Sequence, residues 1–464
     1  MKNLFEQHES EVRGYCRNFP AVFTTAKGAW MTDQDGRRYL DFFAGAGVMN
    51  YGHNPDKLKT VLIEYLQSDG ITHTLDMYSS AKRDFIERFQ RVILKPRGLD
   101  YKMQFPGPTG TNAVEAALKL ARKVTAREQV VNFTNAFHGM TLGALAVTGN
   151  GFKRAGAGVP LQHTSSLPFC GYMGDGLDTL DYFEAMLKDN GSGLETPAAV
   201  ILETVQAEGG VNVASTAWLQ RLRKITQEHD IVLIVDDIQV GCGRTGKFFS
   251  FEEAGITPDI VTLSKSLSGY GIPMALVLIR PDLDQWAPGE HNGTFRGHAP
   301  GFITATKALD YWENNGLEMA VMHKSKIVKE RLLAMVERLG VKAEVRGRGL
   351  IYGVAFEDIT LANQVSQACF DAGMVVETAG MQDQVLKLLP SLTISEEDLT
   401  LGLDTIEKSL AMVLQRNAGH GTSHHTAKSA QTIETAKTAE TAETAETAET
   451  AETAETADIA LISV

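Results

Sequence analysis

Three short uncharged runs, Ala198–Leu202, Ile231–Val235 and Ile260–Leu263, constrain this chain more than any other feature in it. Each is short for a helix and none alternates polar with apolar residues, so each reads as a strand covered on both faces. Helix-like patterns such as Trp218–His229 lie between them. Short apolar strands separated by amphipathic helices specify an α/β fold, with a mostly parallel sheet flanked by helices. Gly28–Tyr39, with its Asp35-Gly36 turn, reads as a hairpin outside that sheet. Past Leu309 the chain turns helical, then supplies short strands around Gly349–Phe356 and Val385–Leu389. That pattern predicts a smaller α+β domain built from both chain ends. The expected divisions are 1–55 and 311–415 for the two parts of the small domain, 56–310 for the large domain and 416–464 for a tail.

In that last segment the large apolar residues run out and a Thr-Ala-Glu triplet repeats through Glu455. It holds eight acids against three bases, a net of −5 within the chain's −13. A three-residue period winds the glutamates round a helix and builds no apolar face, so the tail reads as a disordered or transiently helical, solvating segment. On this reading His420, His424 and His425 are solvated polar chain rather than metal ligands. The acidic balance argues against a nucleic-acid partner, which needs a basic face. No apolar run approaches the roughly 18 residues that span a bilayer. The opening MKNLFEQHESEV carries no signal-peptide h-region. Cys16, Cys170, Cys242 and Cys369 form no CxxC pair, so neither a disulfide framework nor a metal site is expected. The expectation is a cytoplasmic globular protein.

Ligands of parallel α/β sheets bind beyond the carboxyl ends of the strands. Ile231–Val235 ends in Asp236-Asp237-Ile238-Gln239, and Asp259–Leu263 ends in Ser264-Lys265-Ser266. Upstream, Phe105–Thr111 is a Gly/Pro-rich turn leading into a helix with Val114, Ala117, Leu118 and Ala121 on one stripe and Glu115 and Lys119 at i,i+4. Taken singly, these are an N-cap carboxylate, a loop lysine and a turn. Together they match the needs of pyridoxal phosphate: a lysine amine for its aldehyde, a carboxylate for its pyridine nitrogen, a helix N-terminus for its phosphate and a flat apolar group over its ring. Lys265, Asp236, Gly110-Thr111 and Phe137 offer these in turn. Nucleotide motifs fail. Gly45-Ala-Gly47 is followed by Val48-Met49-Asn50, which lacks the last glycine of a dinucleotide fingerprint, and the Gly107 loop does not continue as a P-loop.

The blocks GPTGTNAVEAALKLAR (107–122), NAFHGMTLGAL (135–145), LETVQAEGG (202–210), IVDDIQVGCGRTG (234–246), LSKSLSG (263–269) and GTFRGH (293–298) resemble, in order, those of the class III aminotransferases of pyridoxal phosphate fold type I. The resemblance runs from about residue 20 to 412. It implies that Lys265 bonds the cofactor, Asp236 pairs with the ring nitrogen and Gln239 bonds the ring 3-oxygen. Phe137 would stack on the ring with His138 adjacent, and Gly110 and Thr111 would hold the phosphate. Thr294 would reach that phosphate from a neighbouring copy, which implies a homodimer or a dimer of dimers. Within the family, ESEVRGYCRNFPAVF (9–23), DFFAGAGVMNYGH, ILKPRGLDYK and KFFSFEEAGITPDIV are similar to members that move an amino group from glutamate to aspartate 4-semialdehyde, a step toward the compatible solute ectoine and so osmotic adaptation.

Two departures stand out. Many relatives carry an arginine where Lys387 stands, to bind glutamate's α-carboxylate, and a glutamate matching Glu208 that pairs with it when that substrate is absent. The expectation is a Glu208–Lys387 pair, with Arg296 or Arg348 as other candidate cations. Ala207 replaces a common glycine and requires a negative φ there. The other readings are a transaminase of the ornithine, acetylornithine or 4-aminobutyrate type, an aminomutase, or a non-catalytic binding protein on this fold.

Overall fold

A computed structural model describes residues 2–174 and 176–418. The tail from 419 on, with His420, His424 and His425, lies outside the described residues, while 416–418 continue a helix. The three apolar runs form adjacent strands of a seven-stranded sheet. Its strands are β1 (Lys102–Gln104), β2 (Val130–Phe133), β3 (Thr164–Leu167), β4 (Ala199–Leu202), β5 (Val232–Asp236), β6 (Ile260–Leu263) and β7 (Leu276–Ile279), in the order β1-β7-β6-β5-β4-β2-β3. β4, β5 and β6 are buried along their whole length, as uncharged β-branched runs must be. Only β7 runs against its neighbours. A parallel return needs a crossover, usually a helix, and the stretch between β6 and β7 contains only the short helical turn Lys265–Ser268.

Helix α1 (Gly110–Thr125) covers one face of this sheet. Its buried side, including Val114, Ala117, Leu118 and Ala121, packs with Ile201, Ile234, Ile260 and Val277 in one core. Glu115 and Lys119 do not pair across the helix turn. Glu115 accepts from the Thr141 hydroxyl at 2.5 Å and the Ala144 N–H at 3.0 Å, whereas Lys119 Nζ donates to the Glu290 carbonyl at 2.7 Å.

The hairpin read at Gly28–Tyr39 is present as Trp30–Asp33 paired with Arg38–Asp41. Leu40 and Asp41 then pair in parallel with Met374 and Val375, so the two ends of the chain share a sheet. The C-terminal strands β8 (Ala343–Arg348), β9 (Ile351–Phe356), β10 (Glu377–Ala379) and β11 (Val385–Leu388) form an antiparallel sheet in the order β8-β9-β11-β10. Among the described residues, those up to 410 form one compact unit. Among the described residues no helix is long and apolar enough to cross a membrane.

Arg244, fully buried in the loop after β5, ties these parts together. Its guanidinium donates to the carbonyls of Leu350 and Pro390 and to Asn50 Oδ1, at 2.8, 2.5 and 2.6 Å. Burial pulls its pKa down to about 9, which leaves it charged at neutral pH. Replacing it by methionine keeps the apolar bulk and strands those oxygens. Arg244→Met is expected to lower unfolding stability by about 3 kcal/mol in urea titration; a loss under about 0.5 kcal/mol would show that the guanidinium holds nothing together.

Candidate active site

The sheet's strand ends open onto a cavity of about 270 Å³. Eight of the twelve candidate site residues singled out in the sequence line it: Gly110, Thr111, Phe137, His138, Glu208, Asp236, Gln239 and Lys265. The register explains the convergence. Asp236, last in β5, lies beside Thr262 of β6, and Lys265 follows three residues later. Lys265 adopts φ +44, an unusual conformation for a residue with a side chain. Gly269 closes its turn at φ +73, where a Cβ would lie 2.4 Å from that of Ala308. Only glycine lets the turn pack so close to the helix Ala299–Ala308.

Asp236 is surrounded by donors. Its Oδ1 accepts from the Thr262 hydroxyl at 3.1 Å and the Ile238 N–H at 3.2 Å, and its Oδ2 lies 2.7 Å from His138 Nδ1. Burial pulls the His138 pKa down, but the hydrogen bond and charge of Asp236, with the charge of Glu203, outweigh it and raise it. The loop carrying His138 is fixed by two bonds. The Phe137 N–H donates to Glu203 Oε2 at 3.0 Å, and the His138 N–H donates to the Thr148 hydroxyl at 3.0 Å. Sequence reasoning missed Glu203, although it follows the apolar run of β4 directly and obeys the same strand-end rule. Burial raises its pKa to about 7.

At the other side of the cavity, Glu208 sits in the turn of a small hairpin, Val205–Gln206 with Asn212–Val213. Its Oε1 accepts from Lys387 Nζ at 2.7 Å and Gln239 Nε2 at 3.1 Å. Burial would raise Glu208, yet the charges of Lys387 and Lys265 bring it down to about 2. Lys387 is itself fully buried, and its Nζ also lies 3.0 Å from Glu377 Oε1. Burial works against that ammonium, but the two glutamates hold it protonated. Glu377 gave no sequence signal. Lys265 is lowered by burial, against the opposing charge of Glu208. Ala207 has no positive φ and packs with Val205, Val211 and Val240, so it fits the turn without strain.

Thr294 and Lys387 do not line the cavity, and neither do Arg296 and Arg348. Thr294 is exposed and its carbonyl bonds His73 Nε2 at 2.8 Å. Arg296 donates to the His291 carbonyl. Arg348 pairs with Glu253 at 2.5 Å and donates to the Ser250 carbonyl at 2.7 Å.

The residues present suit a pyridine ring carrying a phosphate. Asp236 supplies a buried anion, Ile238 and Val240 supply apolar wall, and no side chain caps α1 at Thr109, leaving the first N–H groups of the helix without intrahelical partners. Gly139, at φ +137, brings the Phe137 loop against Thr111, whose Oγ1 a Cβ would meet at 2.4 Å. Two buried atoms of lining residues have no partner, His138 Nε2 and Gln239 Oε1. Gln239 Nε2 is engaged by Glu208 and the Ala46 carbonyl, so donating to a ring oxygen requires the reversed amide. Among the described residues, no group of three His, Cys, Asp or Glu is arranged to hold a metal.

The family model for class-III aminotransferases matches residues 13–410. The chain is 58% identical to the diaminobutyrate–2-oxoglutarate transaminase of Nocardia farcinica over 426 residues, covering 92% of this chain and 97% of that protein. It is also 58% identical to the enzyme of the same name from Streptomyces anulatus over 407 residues, covering 88% and 97%. A structure of the ornithine aminotransferase of Toxoplasma gondii, with its active site partly occupied by pyridoxal phosphate, matches with a TM-score of 0.77 at 26% identity over 89% of this chain and 94% of that one.

Glu203 makes the site's stability depend on pH. The native state keeps a proton that the unfolded chain loses near 4.5, up to about 7. Stability therefore falls as pH rises through that window. Glu203→Gln keeps an acceptor for the Phe137 N–H and never ionises. In urea unfolding the variant is expected to match wild type below about pH 4.5 and exceed it by about 2 kcal/mol at about pH 8. Parallel pH profiles would mean that Glu203 does not titrate in this window.

Proposed function

The chain belongs to the class III aminotransferases, and we propose that it transfers the amino group of L-glutamate to L-aspartate 4-semialdehyde, giving L-2,4-diaminobutyrate and 2-oxoglutarate. Its fold is the fold type I of that family. The observation that carries the substrate pair is the 58% identity over nine-tenths of the chain to relatives bearing that activity in their name. Removing the terminal amino group of diaminobutyrate leaves aspartate 4-semialdehyde, and aminating 2-oxoglutarate gives glutamate, so the name fixes both partners. The match to an ornithine aminotransferase, at 26% identity, supports the fold rather than that substrate. We read the role as the amination step toward ectoine, in the cytoplasm and in osmotic adaptation. Thr294, exposed and away from this chain's own cavity, is read as reaching the phosphate of a neighbouring copy in a homodimer or dimer of dimers.

Pyridoxal phosphate, when bound, supplies an aldehyde for amines and an electron sink for the carbon that loses its proton. The protein's part follows from its residues. Asp236, held by Thr262, Ile238 and His138, would keep the ring nitrogen protonated. Gly110 and Thr111 would receive the phosphate at the start of α1, and Phe137, whose own ring has Lys153 Nζ 4.2 Å from its centroid, would flank the cofactor. Lys265, with its lowered pKa, reaches the neutral amine more readily than an exposed lysine. It takes the proton from the substrate carbon and returns it during the exchange. Glutamate reacts at its α-carbon and the semialdehyde at its far end. The α-carboxylate is therefore close to the reacting carbon in one half-reaction and distant in the other. Glu208, paired with Lys387, is placed to yield that ammonium to glutamate's carboxylate and to reclaim it for the semialdehyde.

An absorption titration tests this reading. The visible band of the bound cofactor is expected to bleach with glutamate and return with aspartate 4-semialdehyde, and Lys265→Ala is expected to lose both responses. Bleaching restored only by another aldehyde would overturn the acceptor. A protein supplied with the cofactor that shows no band would overturn the role of Lys265.

A further inference from the structure

Lys387 faces two carboxylates of different kinds. Glu377 stands directly opposite it on β10, in register across the β10–β11 pair, so that carboxylate is fixed by the sheet. Glu208 belongs to a hairpin turn, lines the cavity and has the more accessible side chain, 20% exposed against 5% for Glu377 and 0% for Lys387. Both carboxylates are within 3.0 Å of the same Nζ. Lys387 has no place in the cavity wall, so a substrate carboxylate meets it only where Glu208 now stands.

An exchange at that position has a difficult moment. As Glu208 leaves, and before a substrate carboxylate arrives, a lone buried ammonium would lose its partner, which is strongly unfavourable. We propose that Glu377 is a positioning residue that keeps Lys387 charged and in place while Glu208 gives way to the α-carboxylate of the amino donor. This rests on the reading that glutamate is the donor and engages Lys387. Two carboxylates on one ammonium also make the exchange charge-neutral at each end, since one anion replaces another beside a fixed pair. The electrostatics agree. Burial and the charge of Glu208 hold Glu377 up at about 7, so removing Glu208 removes one cause of that rise and favours the ionised form when Lys387 needs it. A lysine suits such a site, because its single ammonium can be shared between a fixed and an exchangeable oxygen without the geometric demand of a guanidinium fork.

The two half-reactions of the holoenzyme, followed separately by the cofactor band in single-turnover mixing, read this directly. Glu377→Gln is expected to slow the glutamate half-reaction about tenfold and to leave the semialdehyde half-reaction, in which Glu208 stays on Lys387, within about twofold. Equal slowing of both, or no slowing of either, overturns the proposal. Should Glu377→Gln fail to load cofactor, Lys387→Gln and Lys387→Gln with Glu377→Gln answer the same question, since neither leaves an unpaired ammonium. The ratio of the two half-reaction rates is expected to be the same in both. A further loss confined to glutamate in the double variant overturns the proposal, because Glu377 would then act without Lys387. Wild-type enzyme that does not respond to glutamate overturns the donor assignment itself, before any variant is compared.

Discussion

A carboxylate at the end of a buried strand persists only if donors surround it, and the large sheet is arranged so that Asp236 has them. The β5–β6 register delivers Thr262, the bend after β5 turns the Ile238 N–H back, and the Phe137–His138 loop brings an imidazole across. That loop depends in turn on Glu203, at the end of the neighbouring strand β4. Positions on three adjacent strands are therefore linked through one anion. A shift of β6 by one residue would move Thr262 to the other face of the sheet. Lys265, three residues further on, would move with it. The cavity's chemistry and the sheet's register are one constraint.

Charge is handled differently in the parts that join the N- and C-terminal segments. Arg244 is buried without a carboxylate bonded to it and is held by carbonyl and amide oxygens. Lys387 is buried with two. The first arrangement has no exchangeable partner and suits a fixed joint. The second has one carboxyl group more than its charge requires, and an excess partner is what an exchange needs.

Much of this was legible in the sequence, for a definite reason. Strands buried on both faces announce themselves as uncharged β-branched runs, and the residue after such a run is at the functional edge of the sheet. That logic placed Asp236 and Lys265 and applied equally to Glu203, which was overlooked. It had no hold on β3 (Thr164–Leu167), which lies at the sheet edge with its first three residues partly or fully exposed, nor on β1, with Lys102 exposed at its start. Glu377 was out of reach for another reason. Its partner is ten residues away, and only the register of β10 against β11 makes the two face each other. Helical spacing did not decide the partners of Glu115 and Lys119, which stand at i,i+4 yet bond the Ala144 N–H and the Glu290 carbonyl. The α-carboxylate cation showed the opposite pattern. A lysine in place of the family's arginine looked like a weakness, and Arg296 and Arg348 looked like replacements, but both are engaged elsewhere.

The lysine is better understood through what surrounds it. A guanidinium between two carboxylates would offer each a bidentate face, and both would be held firmly. An ammonium offers rotatable single donors, so loss of the Glu208 hydrogen bond leaves the ion pair with Glu377 in place. A site that must accept a carboxylate near the reacting carbon in one half-reaction, and do without it in the next, gains from that looseness. The fixed carboxyl group of Glu377, opposite Lys387 across the sheet, supplies the order that the lysine alone lacks. On the proposed reading, selectivity between the two substrates rests on the hairpin turn at Glu208 rather than on the residues proposed to hold the cofactor.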